Sequence, residues 1–172
     1  MDTLRLQLAC TYCNGWPRLR VRLQNDLIYD FAPDQAQVDL AVDLPQTPGP
    51  CWIEIERWGK TAANTQDGAD QVVEIKQLYV NDIAIPQWFL WGNSQFRFND
   101  QCQQSLIMAP NGVWRLDFAT PLITHILDQK ILHEAQYNQD YQYPWSYKFG
   151  PGQTEELDRE LANAMDLVRS KL

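Results

Sequence analysis

Four cysteines, two histidines and 22 carboxylates are the residues from which this chain could build a reactive or metal-binding site. Cys10 and Cys13 stand in "CTYCNG", the Cys-x-x-Cys-x-Gly shape of a zinc knuckle. A structural zinc site takes four ligands, and Cys51, Cys102, His125 and His133 form no second close pair. Packed thiols in a reducing compartment are the simpler reading. Gly59, Lys60 and Thr61 match the end of a phosphate-binding loop, but that loop needs a glycine where this chain has Ile55, and no helical pattern follows. Asp26, Asp30, Asp34, Asp39 and Asp43 are spread through strands and turns, whereas calcium collects its oxygens in one loop. Glu54 with Glu56 or Asp117 would serve glycoside hydrolysis only if the fold paired them, and nothing in the sequence selects a pair. His125 and His133 share no nucleophile motif. These residues point to no catalytic group, no metal and no cofactor, hence to a non-enzymatic protein.

The aromatic residues are the other material. "PQWFLWGNSQFRF" (86–98) brings Trp88, Phe89, Trp91, Phe96 and Phe98 together, and "YNQDYQYPWSYKFGPG" adds Tyr137, Tyr141, Tyr143, Trp145, Tyr147 and Phe149 among amides. If Ile83 to Trp91 is extended, rings fall on both faces of the strand, and a sandwich core hides only one. The cover for the other could be the C-terminal helices, a partner chain or a stacked sugar. Trp88, Trp91, Tyr141, Tyr143 and Trp145 are therefore the candidate partner or glycan interface.

The 172 residues are about one domain's worth of chain, and a hydrophobic share of 45% is enough for a stable core. A net charge of -8 repels phosphate backbones, and Arg18, Arg20 and Arg22 are too few to make a basic footprint, so nucleic acid is not an expected partner. No apolar run reaches the roughly 20 residues of a membrane span, and the first residues lack the pattern of an export signal, so no membrane partner is expected either.

Period-two alternation dominates to about residue 118. "LRLQLACTY", "RLRVRL", "QVDLAVDL", "CWIEIERW" and "VVEIKQLYV" each put apolar side chains on one face. In "CWIEIERW", Cys51, Ile53 and Ile55 share one side, and Trp52, Glu54 and Glu56 the other. Asn81-Asp82 and Asn111-Gly112 are hairpin turn signals, and "GKTAANTQDGADQ" is a polar loop expected to be the most mobile part of this half. After Thr120, a prospective cap, Pro121 opens a helix over 121–135, and Leu157, Leu161, Met165, Val168 and Leu172 predict a second amphipathic helix. The fold class is mainly β: an antiparallel β-sandwich of jelly-roll type with C-terminal α-helices. Residues 1–119 form the sandwich domain and 120–172 a helical and aromatic extension packed on it or on a partner.

The blocks "WIEIERWGKT", "VVEIKQLYVNDIAIP" and "NGVWRLDFATPLITHIL", within about residues 52 to 127, resemble small β-sandwich structural proteins of tailed bacteriophage virions, which are similar in fold to carbohydrate-binding modules. The resemblance implies a tail, baseplate or head-attached accessory protein, made in the host cytoplasm and placed in the virion. Its partners would be other virion proteins, in a homo-oligomer or hetero-assembly. No catalytic residue carries over. The alternative is a lectin-like module that binds host-surface glycans through the same rings; a third, weaker reading is a small hydrolase.

Overall fold

The computed structural model describes residues 2–66 and 68–140, with side chains through residue 132. The chain divides into two compact units, Met1–Gln129 and Lys130–Leu172. The first is an antiparallel β-sandwich, as the alternation predicts. One sheet runs β12 (Ile107–Met108), β8 (Val73–Val80), β1 (Thr3–Cys10), β4 (Gln37–Asp43), with β9 (Ile83–Ala84) also paired to β8. The facing sheet runs β11 (Gln101–Gln103), β10 (Ser94–Phe98), β13 (Gly112–Thr120), β5 (Gly49–Trp58), β2 (Arg18–Leu23), β3 (Asp26–Phe31). A two-stranded ribbon, β6 (Thr65–Gln66) with β7 (Ala69–Asp70), lies in the loop after β5.

Each long strand alternates as a half-buried strand must. Leu4, Leu6 and Leu8 of β1 meet Ile53 and Ile55 of β5 and Trp114 and Leu116 of β13 in one continuous core. Leu19 and Val21 join it from β2, while Arg18, Arg20 and Arg22 stand on the outer face. The core also takes a charge. Arg57, next in phase after Ile55, is only 1% exposed.

Three expectations fail, each for a local reason. "IAIPQWFLW" is not one strand: after Ala84 the chain turns into α1 (Gln87–Asn93), whose first amides, of Phe89 and Leu90, donate to the Pro86 carbonyl at 3.0 and 3.2 Å. A period of 3.6 then sends Phe89 and Leu90 inward and leaves Trp88 and Trp91, three apart, on the outer side. Asn111-Gly112 makes no hairpin, because β12 belongs to one sheet and β13 to the other. Asn111 instead brackets Lys60, accepting its backbone N–H at 2.8 Å and donating to its carbonyl at 3.0 Å. Thr120 does not serve as a cap: its hydroxyl donates to the Thr47 carbonyl at 2.7 Å and reaches that of Gly49 at 3.3 Å.

The Asn81-Asp82 turn is as expected, with both residues at positive φ and Val80 opposite Ile83. A second turn of this kind, Asn99-Asp100 between β10 and β11, has no counterpart in the sequence reading. Helix α2 (Leu122–Asp140) begins one residue later and runs longer than the 121–135 predicted. Its first turns contribute Leu122, Ile123 and Ile126 to the core. His125 packs edge-on against Phe89 with centroids 5.5 Å apart and accepts the Ala119 backbone N–H at Nδ1, 2.9 Å away. The protein's own α2 thus covers part of the ring cluster. The first four residues of the tyrosine-rich stretch, 137–140, continue α2 instead of forming a loop, because the helix runs on past the predicted end; the rest of that stretch and the predicted second helix lie outside the described residues.

All four cysteines are free thiols. Cys10, Cys13 and Cys51 are buried and Cys102 is exposed beside Gln95. Burial pushes the Cys10 thiol up to about 11, against the pull of the Arg57 cation, and raises that of Cys51.

Candidate functional site: a tryptophan-walled cleft

The outer face of the six-stranded sheet carries a dense set of charged side chains that the alternation exposes. Trp52, Glu54, Glu56 and Trp58 project from β5, flanked by Arg18, Arg20 and Arg22 of β2 and by Arg115 and Asp117 of β13. Register decides how they pair. Arg115 stands opposite Glu54 and lies 3.4 Å from it, with Arg97 of β10 reaching the same oxygen at 3.6 Å. Arg22, also opposite Glu54, turns instead to Glu56 at 2.9 Å. Arg20 bridges Asp30 at 2.9 Å and Glu56 at 3.6 Å.

Arg18 is different. Its β5 neighbour in register is Trp58, and β3 ends at Phe31, which pairs with Leu19, so the strand offers it no carboxylate. The guanidinium lies over the Trp58 indole, 4.9 Å from the centroid, and Arg20 covers the same ring at 4.4 Å. The indole N–H has no acceptor among the described residues. Packing and the two cations hold the ring.

Two clefts meet at this pair. The first, about 310 Å3, is lined by Asn14, Gly15, Trp16, Arg18, Trp58, Gly59, Thr61, Ala63, Asn64 and Gln71. The second, about 280 Å3, lies between Arg18, Trp58, Asp30, Phe31 and Ala32. Gly59, at φ 77°, lets the chain leave β5 beside the Arg18 stem, where an added Cβ would sit 3.4 Å from Cδ.

The polar rim of the first cleft is held by its own hydrogen bonds. Asn14 Nδ2 donates to the Ala63 carbonyl at 2.7 Å and to Gln66 Oε1 at 2.9 Å. Asn64 Nδ2 donates to the Cys13 carbonyl at 3.0 Å, while its Oδ1 accepts the Thr61 N–H at 2.9 Å. Gln71, buried, donates from Nε2 to the Gly15 carbonyl at 3.0 Å and accepts from Arg57. Lys60 pairs with Asp70 and donates to the Ala109 carbonyl at 2.7 Å. Lys60 and the Thr65 hydroxyl hold the Asp70 carboxyl below the usual range. The "GKTAANTQDGADQ" loop, expected to be mobile, is cross-linked to the β1–β2 loop and carries a turn of 3-10 helix, Ala62–Asn64.

No protein-family model matches this chain, and no curated protein does. Among solved structures it is similar to vCBM60. That protein is described with calcium-dependent carbohydrate-binding modules, with 13% identity, a TM-score of 0.45, and coverage of 67% of this chain and 90% of the other. A structure of vCBM60 in complex with galactobiose matches at the same identity and TM-score, over 66% of this chain and 96% of the other. Neither likeness bears on a phage particle.

Of the five residues predicted for the interface, Trp88 and Trp91 lie together on α1, 41% and 45% exposed, away from the residues that line the cleft. Tyr141, Tyr143 and Trp145 lie outside the described residues. The sequence reading missed Trp16 and Trp58, although extending its own alternation of Trp52, Glu54 and Glu56 by one step places Trp58 on the same face. The acidic residues weighed for calcium stay apart: Asp30 pairs with Arg20, and Asp43 accepts the Thr3 hydroxyl at 3.0 Å. Among the described residues, no three His, Cys, Asp or Glu side chains gather as a metal site.

Proposed function

We propose that the protein is a non-catalytic glycan-binding module whose ligand lies in the cleft between Trp16 and Trp58. The observation that carries this reading is the convergence of two indoles with a ring of amide and hydroxyl side chains already locked by hydrogen bonds. Sugars present apolar C–H faces and polar edges, and such a surface meets both. Preorganised side chains lose little freedom on binding. Tyr12, edge-on to Trp16 with centroids 5.4 Å apart, braces the Trp16 ring.

The test is a titration of oligosaccharides followed by tryptophan fluorescence, with Trp16→Ala and Trp58→Phe beside the parent protein. Saturable quenching that both variants weaken at least tenfold supports the reading. Binding left intact by both variants would place the glycan elsewhere, and no binding to any glycan would sink it.

A second reading, protein assembly, has its own observation. Trp88 and Trp91 present half-exposed indoles on one side of α1, as interface anchors do. In this reading the protein is a structural component that binds other chains, and the virion setting implied by the sequence resemblance is one form of it. Light scattering across a concentration series tests it: an oligomer that Trp91→Ser dissociates supports assembly, and a monomer at every concentration counts against self-assembly.

A further inference from the structure

A cation with no counter-ion among the described residues, at the seam of two clefts, needs a reason in a chain that carries 22 acidic residues and 14 basic ones. Five arginines stand on the outer face of the six-stranded sheet. Arg20, Arg22, Arg97 and Arg115 each lie within 4 Å of a carboxylate. Arg18 alone among them has none among the described residues, and it lines both clefts. The nearest acid in the second cleft, Asp30, is occupied by Arg20. Lys60, which lines a third cleft of about 430 Å3, differs in this respect, because Asp70 already neutralises it.

We infer that the saccharide is acidic, with a uronate carboxylate received by the Arg18 guanidinium at the seam while adjoining rings lie against Trp58 and Trp16. The inference rests on the glycan-binding reading and adds its ligand class. Its seat over the indole limits the rotamers of Arg18, which stays exposed to solvent, and a guanidinium binds a carboxylate through paired N–H donors. The net charge of -8 does not forbid an anion here. At physiological salt the Debye length is about 8 Å, so distant acids are screened, and Asp30, the acid lining the second cleft, is paired with Arg20.

The experiment uses matched pairs: oligomers of galacturonate, glucuronate and mannuronate, each beside its methyl ester, titrated by calorimetry into the parent chain, Arg18→Gln, Arg18→Lys and Trp58→Phe. The esters keep the ring and lose the charge. The expected result is at least tenfold tighter binding of one acid than of its ester, a preference that Arg18→Gln abolishes and Arg18→Lys partly keeps. Added NaCl should weaken binding of the acid and leave the ester unchanged. Equal binding of acid and ester, weakened by Trp58→Phe but not by Arg18→Gln, would overturn the acidic ligand and keep the glycan module. Binding of neutral glycans alone would do the same. No saccharide bound at all would overturn both.

Discussion

Arg57 donates to Gln71 twice, to its backbone carbonyl at 2.6 Å and to its side-chain Oε1 at 3.0 Å, and the same guanidinium reaches the Ala109 carbonyl. Gln71 in turn holds Gly15, so one buried cation ties β5 to both loops that frame the cleft. Burial lowers the Arg57 pKa, with the Asp70 charge opposing, yet a guanidinium stays protonated. Arg57→Ala strands both Gln71 acceptors, while the Ala109 carbonyl keeps its Lys60 donor, and it leaves a void, so a loss of about 3 kcal/mol is expected in urea denaturation. Gln71→Ala should cost about 1–3 kcal/mol and also weaken any cleft ligand.

Gly112 faces β10 so closely that an added Cβ would lie 2.4 Å from the Arg97 carbonyl oxygen and 2.8 Å from the Phe96 ring. The first obstacle is backbone and cannot rotate away. Gly112→Ala should therefore destabilise by about 1–3 kcal/mol, measured by thermal melting, whereas glycine replacement at a hairpin tip would act through φ instead.

The helical reading of residues 87–93 separates neighbours in the sequence by their energetics. Phe89→Ala should cost about 3–5 kcal/mol, since it empties a site packed against His125, whereas Trp91→Ser should cost about 1 kcal/mol or less. Had the segment been extended, Phe89 and Trp91 would share a face and respond alike.

His125 gives the stability a pH dependence of known sign. Burial lowers its pKa, opposed by Asp128, so its contribution is complete above the ordinary value near 6.5 and lost as pH falls through the folded value. Protonation also turns Nδ1 from acceptor to donor against the Ala119 N–H. The melting temperature should fall as pH drops below the ordinary histidine value near 6.5, and His125→Gln should flatten that fall. Asp70, held low by Lys60 and Thr65, contributes above the ordinary carboxylate value and loses that contribution as pH falls through its lower folded value, well below the histidine window.

The sheets were legible because alternation is a local signal: Leu4, Leu6 and Leu8, or Cys51, Ile53 and Ile55, state their own facing. The Asn81-Asp82 turn was legible for the same reason. Asn111-Gly112 misled because its neighbours alternate well but belong to different sheets, and sheet membership is set by long-range pairing. "PQWFLW" misled because a short apolar run fits either period, and Pro86 at the entrance to a helix was weighed as part of a strand. The cleft was only half legible. Arg18 and Trp58 could each be placed on a face, but their pairing depends on the register of β2 against β5, which neither strand states alone.

The thiols allow a final use. Cys10, Cys13 and Cys51 are buried, with Cys10 and Cys51 further held in the unreactive thiol form, while Cys102 meets solvent. A maleimide reagent should therefore consume one equivalent of the folded protein's sulfur quickly and the remainder only as the sandwich opens. The chain thus offers one attachment point for a dye or a support, and the slow equivalents become a clock for opening of the core that needs no added probe.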